Sequence, residues 1–224
     1  MNTSATPEHL FLFDDLVAGT ENITRRVNVA SKRPAPVLAP DRPWEGGTAL
    51  LFGRALYDPD KSLFKMWYAA GKHYKFFCYA TSADGMNWHK PELDIVPIDG
   101  KPTNIVYDGR GTTYVEPFGV VIDPLDPDPA RRYKCGFKSR ITPCEGAGEH
   151  PLMPGSKRGL GTLVSADGIH WRLENAFANP DVCDIAHFFQ DPAGGGFALY
   201  SFTDSALPQI PGLRLHECTH ELTF

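Results

Sequence analysis

The chain writes one eight-residue phrase twice: TSADGMNW at 81–88 and VSADGIHW at 164–171, 83 residues later. A repeated turn with a repeated aromatic end constrains the architecture more than any single residue does. It implies one supersecondary unit that buries its apolar surface against further copies of itself. Asp and Gly suit a tight turn, because the carboxylate caps neighbouring amides and Gly accepts positive φ. Each Trp then packs back on the unit. The phrase therefore reads as scaffold, with Asp84 and Asp167 as turn residues rather than catalysts.

Three segments with one grammar surround the phrases. They are TALLFGRALYDPDKSLFKMWYAA at 48–70, PFGVVIDPLDPDPARRYKCGF at 117–137 and AHFFQDPAGGGFALYSF at 186–202. Each runs apolar residues into an Asp-Pro turn and returns as a second apolar run, so each predicts a β-hairpin. Third strands follow in FFCYATSADGMNW, in GTLVSADGIHW and in LRLHECTHELTF, whose Phe224 stands in the place of Trp88 and Trp171. The Gly- and Pro-rich insert SRITPCEGAGEHPLMPGSKR reads as a surface loop. Residues 49–57, ALLFGRALY, are apolar on both faces, as in a strand covered from both sides. The expected fold is all-β, a propeller of which about three blades are present, with a β-sandwich as the rival. The expected boundaries are a lead-in over 1–43 and blades over 44–95, 112–175 and 181–224.

Composition agrees and excludes other classes. Aromatics make up 12% of the 224 residues, and 21 Gly with 20 Pro favour short strands and turns. The 22 basic and 27 acidic residues give a net charge of -5, without the basic surface that phosphate neutralisation needs. No apolar run is long enough for a membrane helix. Leu10–Phe13 is too short for a leader, so a cytoplasmic protein is expected. The five cysteines form no CxxC pair and read as reduced thiols. No cofactor and no metal are expected.

The opening LFLFDDLVAGTENITRRVNVASKRPAPVLAPDRPWE, with YDPDKSLFKMWYAA, YATSADGMNWHKPEL, TNIVY and DPDPARRYK, resembles bacterial proteins of the five-bladed propeller glycosidase type. That superfamily includes invertases and levanases, arabinanases and mannoside phosphorylases. The resemblance implies five blades, so the chain looks like the N-terminal part of a propeller. It also implies a carbohydrate substrate and acids where the innermost strand of each blade begins, at the channel mouth. Applied here, it selects Glu45 in the first blade, Glu116 in the second, and Asp181 and Asp184 in the third. Glycoside hydrolysis needs two such carboxylates. Glu45 or Asp184 is expected as base or nucleophile and Glu116 as acid. The Asn-Asp-Pro and Arg-Asp-Pro signatures of invertases are missing, which speaks against fructosidase activity.

Other residues suit a sugar site. Trp44 offers a face for stacking on a pyranose. Arg54, read as lying inside an apolar strand, needs an acidic partner or a channel position. His187 lies near the start of the third inner strand. Two rival functions remain. A propeller can be a non-catalytic carbohydrate-binding platform, and an incomplete ring exposes a blade flank through which copies self-associate. HECTH at 216–220 matches a zinc motif that requires His216 and His220 on one helical face. The Pro and Gly of the preceding PQIPGLRL oppose that helix.

Overall fold

The computed structural model describes residues 19–24, 26, 28–109, 115–141, 157–179, 184–190, 197–202 and 219–221. The chain divides into two units, Met1–Ala35 and Pro36–Phe224. In the first, the described residues form neither helix nor strand. The second is all-β, with three short 3-10 turns and no α-helix among its described residues. Among the described residues no helix is long and apolar enough to cross a membrane.

Among the described residues, three larger antiparallel sheets follow one another along the chain, with a separate two-stranded one beside the first. Sheet one holds β1 (Ala49–Leu50), β2 (Leu56–Asp58), β3 (Leu63–Ala70), β4 (Phe76–Ser82) and, after the small hairpin β5 (Leu93–Ile98) and β6 (Lys101–Thr103), β7 (Ile105–Tyr107). It therefore runs past residue 95 to Tyr107. Sheet two is a plain meander of β8 (Glu116–Ile122), β9 (Tyr133–Ile141), β10 (Lys157–Ser165) and β11 (Trp171–Asn179). Sheet three holds β12 (Asp184–Gln190), β13 (Phe197–Phe202) and β14 (Thr219–Glu221). All three expected hairpins pair as strands.

Two expectations change. The insert at 139–158 is not all loop. Ile141 pairs with Lys157 and Arg140 with Arg158, because the ladder from Lys138 and Leu160 continues without a break. Residues 142–156 lie outside the described residues. The stretch 49–57 is not a continuous strand covered on both faces. Leu50 pairs with Ala69 and Leu56 with Lys65, so the five residues 51–55 stand opposite only three, 66–68. Leu50, Leu51 and Tyr57 are 39%, 42% and 50% exposed. Two-sided burial belongs instead to β3 and β4, whose period of two sends alternate side chains to opposite cores.

On one face of sheet one, Trp67, Phe77 and Tyr79 pack with Val120, Tyr133, Cys135, Phe137, Leu163 and Trp171 of sheet two. On its other face, Tyr68, Ala70, Cys78 and Ala80 pack with Val96 and Ile105. The far face of sheet two brings Phe118, Val121 and Leu160 against Phe188 of sheet three. Cys78 and Cys135 are free, buried thiols.

The interfaces repeat. Phe64, Tyr133 and Phe197 lie near the turn of each hairpin, opposite Tyr57, Ile122 and Gln190, of which the last two end their strands while Tyr57 is followed by Asp58. The residue after Phe64 and after Tyr133 is a lysine. Lys65 pairs with Asp58 at 2.7 Å and Lys134 with Asp123 at 2.7 Å. Each ammonium also lies over the marker ring of the following sheet. Lys65 Nζ is 5.0 Å from the Tyr133 centroid, and Lys134 Nζ is 5.2 Å from that of Phe197. A desolvated cation–π contact contributes about 2 kcal/mol. The same device thus joins sheet one to two and sheet two to three.

Candidate active site

The shared register locates the acids. Glu116, the first residue of β8, lies opposite Lys138, five positions after Tyr133. Asp184, the first residue of β12, lies opposite Phe202, five positions after Phe197. The two carboxylates therefore occupy the same slot in successive sheets. A register shift follows each, directly after Asp184 in β12 and one residue later, between Pro117 and Gly119, in β8. Such bulges bend a strand and re-aim its side chains, and they gather beside active sites. Sheet one puts Leu50 in this slot, opposite Ala69 and five positions after Phe64.

Backbone meets backbone closely between successive sheets. A Cβ on Gly53 would lie 2.7 Å from the Gly119 Cα, and one on Gly119 would lie 2.7 Å from the Phe188 carbonyl oxygen. Only glycine leaves room for these contacts. Beside them, the Glu116 side chain is 4% exposed, with the Lys138 ammonium 3.6 Å from Oε2 and itself 8% exposed. Lys138 was missed in the sequence, although the alternation Lys134, Gly136, Lys138 puts both lysines on one face of β9.

Glu45 sits elsewhere, in the 3-10 turn Pro43–Glu45, five residues before Leu50. Its side chain is 0% exposed. Oε1 accepts from the Tyr68 hydroxyl at 2.6 Å and Lys90 Nζ at 2.7 Å. Oε2 accepts from the Arg42 amide at 2.8 Å and Lys90 Nζ at 2.8 Å. Those four bonds fill the lone-pair directions of a carboxylate. Lys90 also reaches Asp41 at 2.6 Å and the Ala39 carbonyl at 2.8 Å. The Lys90 hydrogen bond holds the Asp41 carboxyl below its ordinary range. Burial first, then Cys78 and Glu45, pushes the Tyr68 phenol far above its own. The group is a sealed latch that ties residues 39–45 to sheet one.

The remaining residues are placed as follows. The half-buried Trp44 belongs to the latch, its indole donating to Asn104 Oδ1 at 2.9 Å. Arg54 is exposed and lies between β1 and β2, not inside a strand as its sequence context suggested, so solvent satisfies its charge. His187 is exposed on β12, its ring 5.9 Å from that of Phe189. Asp181 lies outside the described residues. The zinc motif loses its helix at one end, since Thr219 and His220 pair with Tyr200 and Leu199 in a sheet. Residues 216–218 lie outside the described residues. Neither protein-family models nor curated proteins give a match to the chain.

Proposed function

We propose that the chain is part of a β-propeller of carbohydrate-active type, and that the protein cleaves glycosidic bonds with Glu116 and Asp184. The observation that carries this reading is the equivalence of the two acids. They head the inner strands of successive sheets, in one register slot, each followed closely by a bulge. Glycoside cleavage asks for two carboxylates held on separate rigid elements, one to protonate the leaving oxygen and one to act on water or the anomeric carbon. The repeated lysine–aromatic contact supports a radial stacking of blades, and five blades is what the sequence resemblance implies. Glu45 leaves the catalytic set, because a sealed carboxylate with four bonds made has nothing to offer a substrate. Its carboxylate is assigned to the fold.

The test is a panel of aryl glycosides and oligosaccharides offered to the purified protein, with E116Q and D184N beside it. Turnover that falls about 100-fold or more in each variant supports the reading. Saccharide binding without turnover favours a non-catalytic platform. The absence of both binding and turnover overturns the proposal.

A further inference from the structure

Two segments of sheet one converge on the start of β8. The loop 71–75 between β3 and β4 meets it through backbone, where the Val115 amide donates to the Tyr74 carbonyl at 3.4 Å. The stretch 51–55 between β1 and β2 meets it at Gly53, where an added Cβ would lie 2.7 Å from the Gly119 Cα. The two segments also touch each other, with the Phe52 ring edge-on to that of Tyr74 at 5.8 Å. Glu116 lies along the chain between those two contacts. The loop is held in a costly shape, since Gly71, His73 and Tyr74 have φ of 80, 57 and 54. Non-glycine residues enter this region rarely, and they persist only where the surroundings impose it. Here the Gly71 amide donates to the Glu45 carbonyl at 3.0 Å, and the Tyr74 amide donates to the Gly71 carbonyl at 3.1 Å. Backbone held in this way gathers at ligand clamps.

The charges on these segments are one-sided. Residues 46–57 carry a single charged side chain, Arg54, and residues 70–77 carry Lys72, His73 and Lys75 with no acid. All four are exposed. Among the described residues, the side chains of Arg54, Lys72 and His73 make no hydrogen bond or ion pair, and the Lys75 ammonium lies 5.3 Å from the Phe76 centroid. The acids beside these segments are already countered, Glu45 by Lys90 at 2.7 Å and Glu116 by Lys138 at 3.6 Å. A chain of net charge -5 thus presents cations beside the head of β8. We infer that Arg54, Lys72, His73 and Lys75 form an oxyanion subsite next to Glu116, so that the saccharide this protein takes carries a carboxylate or a phosphoryl group. The inference rests on the proposed glycosidase reading and names its substrate class. A guanidinium grips such a group through two parallel N–H donors, and the ammonium groups and the imidazole add further donors. Arg54 is carried where five residues stand opposite three, and such bulges re-aim a side chain. Water solvates these cations until the oxyanion of the ligand replaces it. A loop whose backbone is already fixed leaves less ordering to be done on binding.

The probes are 4-nitrophenyl glycosides in pairs, glucoside against glucuronide and galactoside against galacturonide, with the 6-phosphates of both sugars beside them. The parent is expected to favour an acidic member over its neutral counterpart by about tenfold or more in kcat/KM. R54M is expected to cut that ratio by about tenfold, as the loss of charge-assisted hydrogen bonds would, and R54K to recover part of it. Lys72→Met together with Lys75→Met should cut it by less, and added salt should narrow it. K61M removes an exposed cation from the turn at the opposite end of sheet one and should leave the ratio as it is. Thermal melting shows that each variant is folded. Equal turnover of the two members, or a ratio that R54M leaves unchanged, overturns the inference and leaves the glycosidase reading intact. Cleavage of neutral glycosides only on addition of inorganic phosphate, with R54M raising the phosphate required, gives the cations to a free anion and overturns the saccharide-borne group. If no glycoside turns over, calorimetric titration of glucuronate, galacturonate and glucose 6-phosphate into the parent and R54M decides. Binding that R54M weakens about tenfold keeps the subsite without the glycosidase, and no binding overturns both.

Discussion

The two Ser-Ala-Asp-Gly turns are alike inside and unlike outside. In the first, the Ser82 hydroxyl donates to Asp84 at 2.9 Å and accepts from the Gly85 amide at 2.9 Å. Asp84 Oδ1 accepts from the amides of Met86 and Asn87, and the Trp88 indole donates to the Gly85 carbonyl at 3.2 Å. In the second, Ser165, Asp167, Gly168, Ile169, His170 and Trp171 repeat every one of these bonds. The surroundings differ. The Gly168 carbonyl also accepts from the Trp67 indole of sheet one at 2.6 Å. Trp171 is 9% exposed, with its ring 5.6 Å from Phe77 and 6.3 Å from Trp67. Trp88 is only half-buried, at the edge of the cluster of Tyr68, Ala70, Cys78, Ala80, Val96 and Ile105. Local chemistry makes the turn, and the adjoining sheet decides what the turn is worth.

Deleting the two indoles should give the widest separation. Trp171→Ala removes a ring wedged between two sheets and is expected to cost about 4 kcal/mol, as for a buried aromatic. Trp88→Ala is expected to cost about 2 kcal/mol, since half the ring is already in water. Urea midpoints with an unchanged slope measure both. Equal losses would mean that the second turn is not the clamp between sheets one and two.

The turn glycines sharpen the same contrast at smaller amplitude. Both are left-handed, Gly85 at φ 71 and Gly168 at φ 79, so alanine carries a conformational cost of about 1 kcal/mol at either. A Cβ on Gly85 would meet only Phe64, at 3.7 Å. One on Gly168 would lie 2.6 Å from the Trp67 ring and 3.2 Å from that of Tyr133. Gly168→Ala is therefore expected to cost about 3 kcal/mol, strain included, against about 1 for Gly85→Ala. A melting curve of each variant tests this, and a mild Gly168→Ala would show that Trp67 can move aside.

What the sequence made legible follows from these turns. Asp, Gly and Ser act through bonds to residues two or three away, so the phrase announced its own geometry. The hairpins announced themselves through Asp-Pro turns set between apolar runs. That Glu116 and Asp184 head β8 and β12 was legible because strand starts are visible in sequence. Glu45 was chosen by the same rule and proved to be sealed, because the sequence does not show that Tyr68 and Lys90, 23 and 45 residues away, close on it. Arg54 was misread because a bulge looks like a strand when only its apolar neighbours are counted. Lys138 was missed because its meaning depends on the residue across the ladder, which is a matter of register.

Acid titration gives the smallest expected effect and separates the turns once more. At Asp167, burial alone would raise the carboxyl, but the His170 ring, the amides of His170 and Ile169 and the Ser165 hydroxyl outweigh it and hold it at about 2. Asp84 is held lower still, by the amides of Asn87 and Met86 first and then by the side chains of Asn87 and Ser82. Both folded values lie below the roughly 3.9 of an unfolded aspartate. The stabilisation is therefore complete above that value and is lost as pH falls through the folded one, for Asp167 between about 4 and about 2. Asp84 stands in open solvent, where screening weakens what its bonds return to the fold. Asp167 is exposed too, its side chain at 47%, but it adjoins Gly168, whose carbonyl the Trp67 indole holds, and after screening its share is about 1 kcal/mol. Asp167→Asn should thus be less stable than the parent at pH 5 and converge on it near pH 2, and Asp84→Asn should do the same over a smaller range. Stability measured by urea at pH 5, 4, 3 and 2 decides the matter. A larger effect from Asp84 would assign the stabilisation to the turn itself, whereas the larger effect expected from Asp167 assigns it to the sheet that encloses the turn.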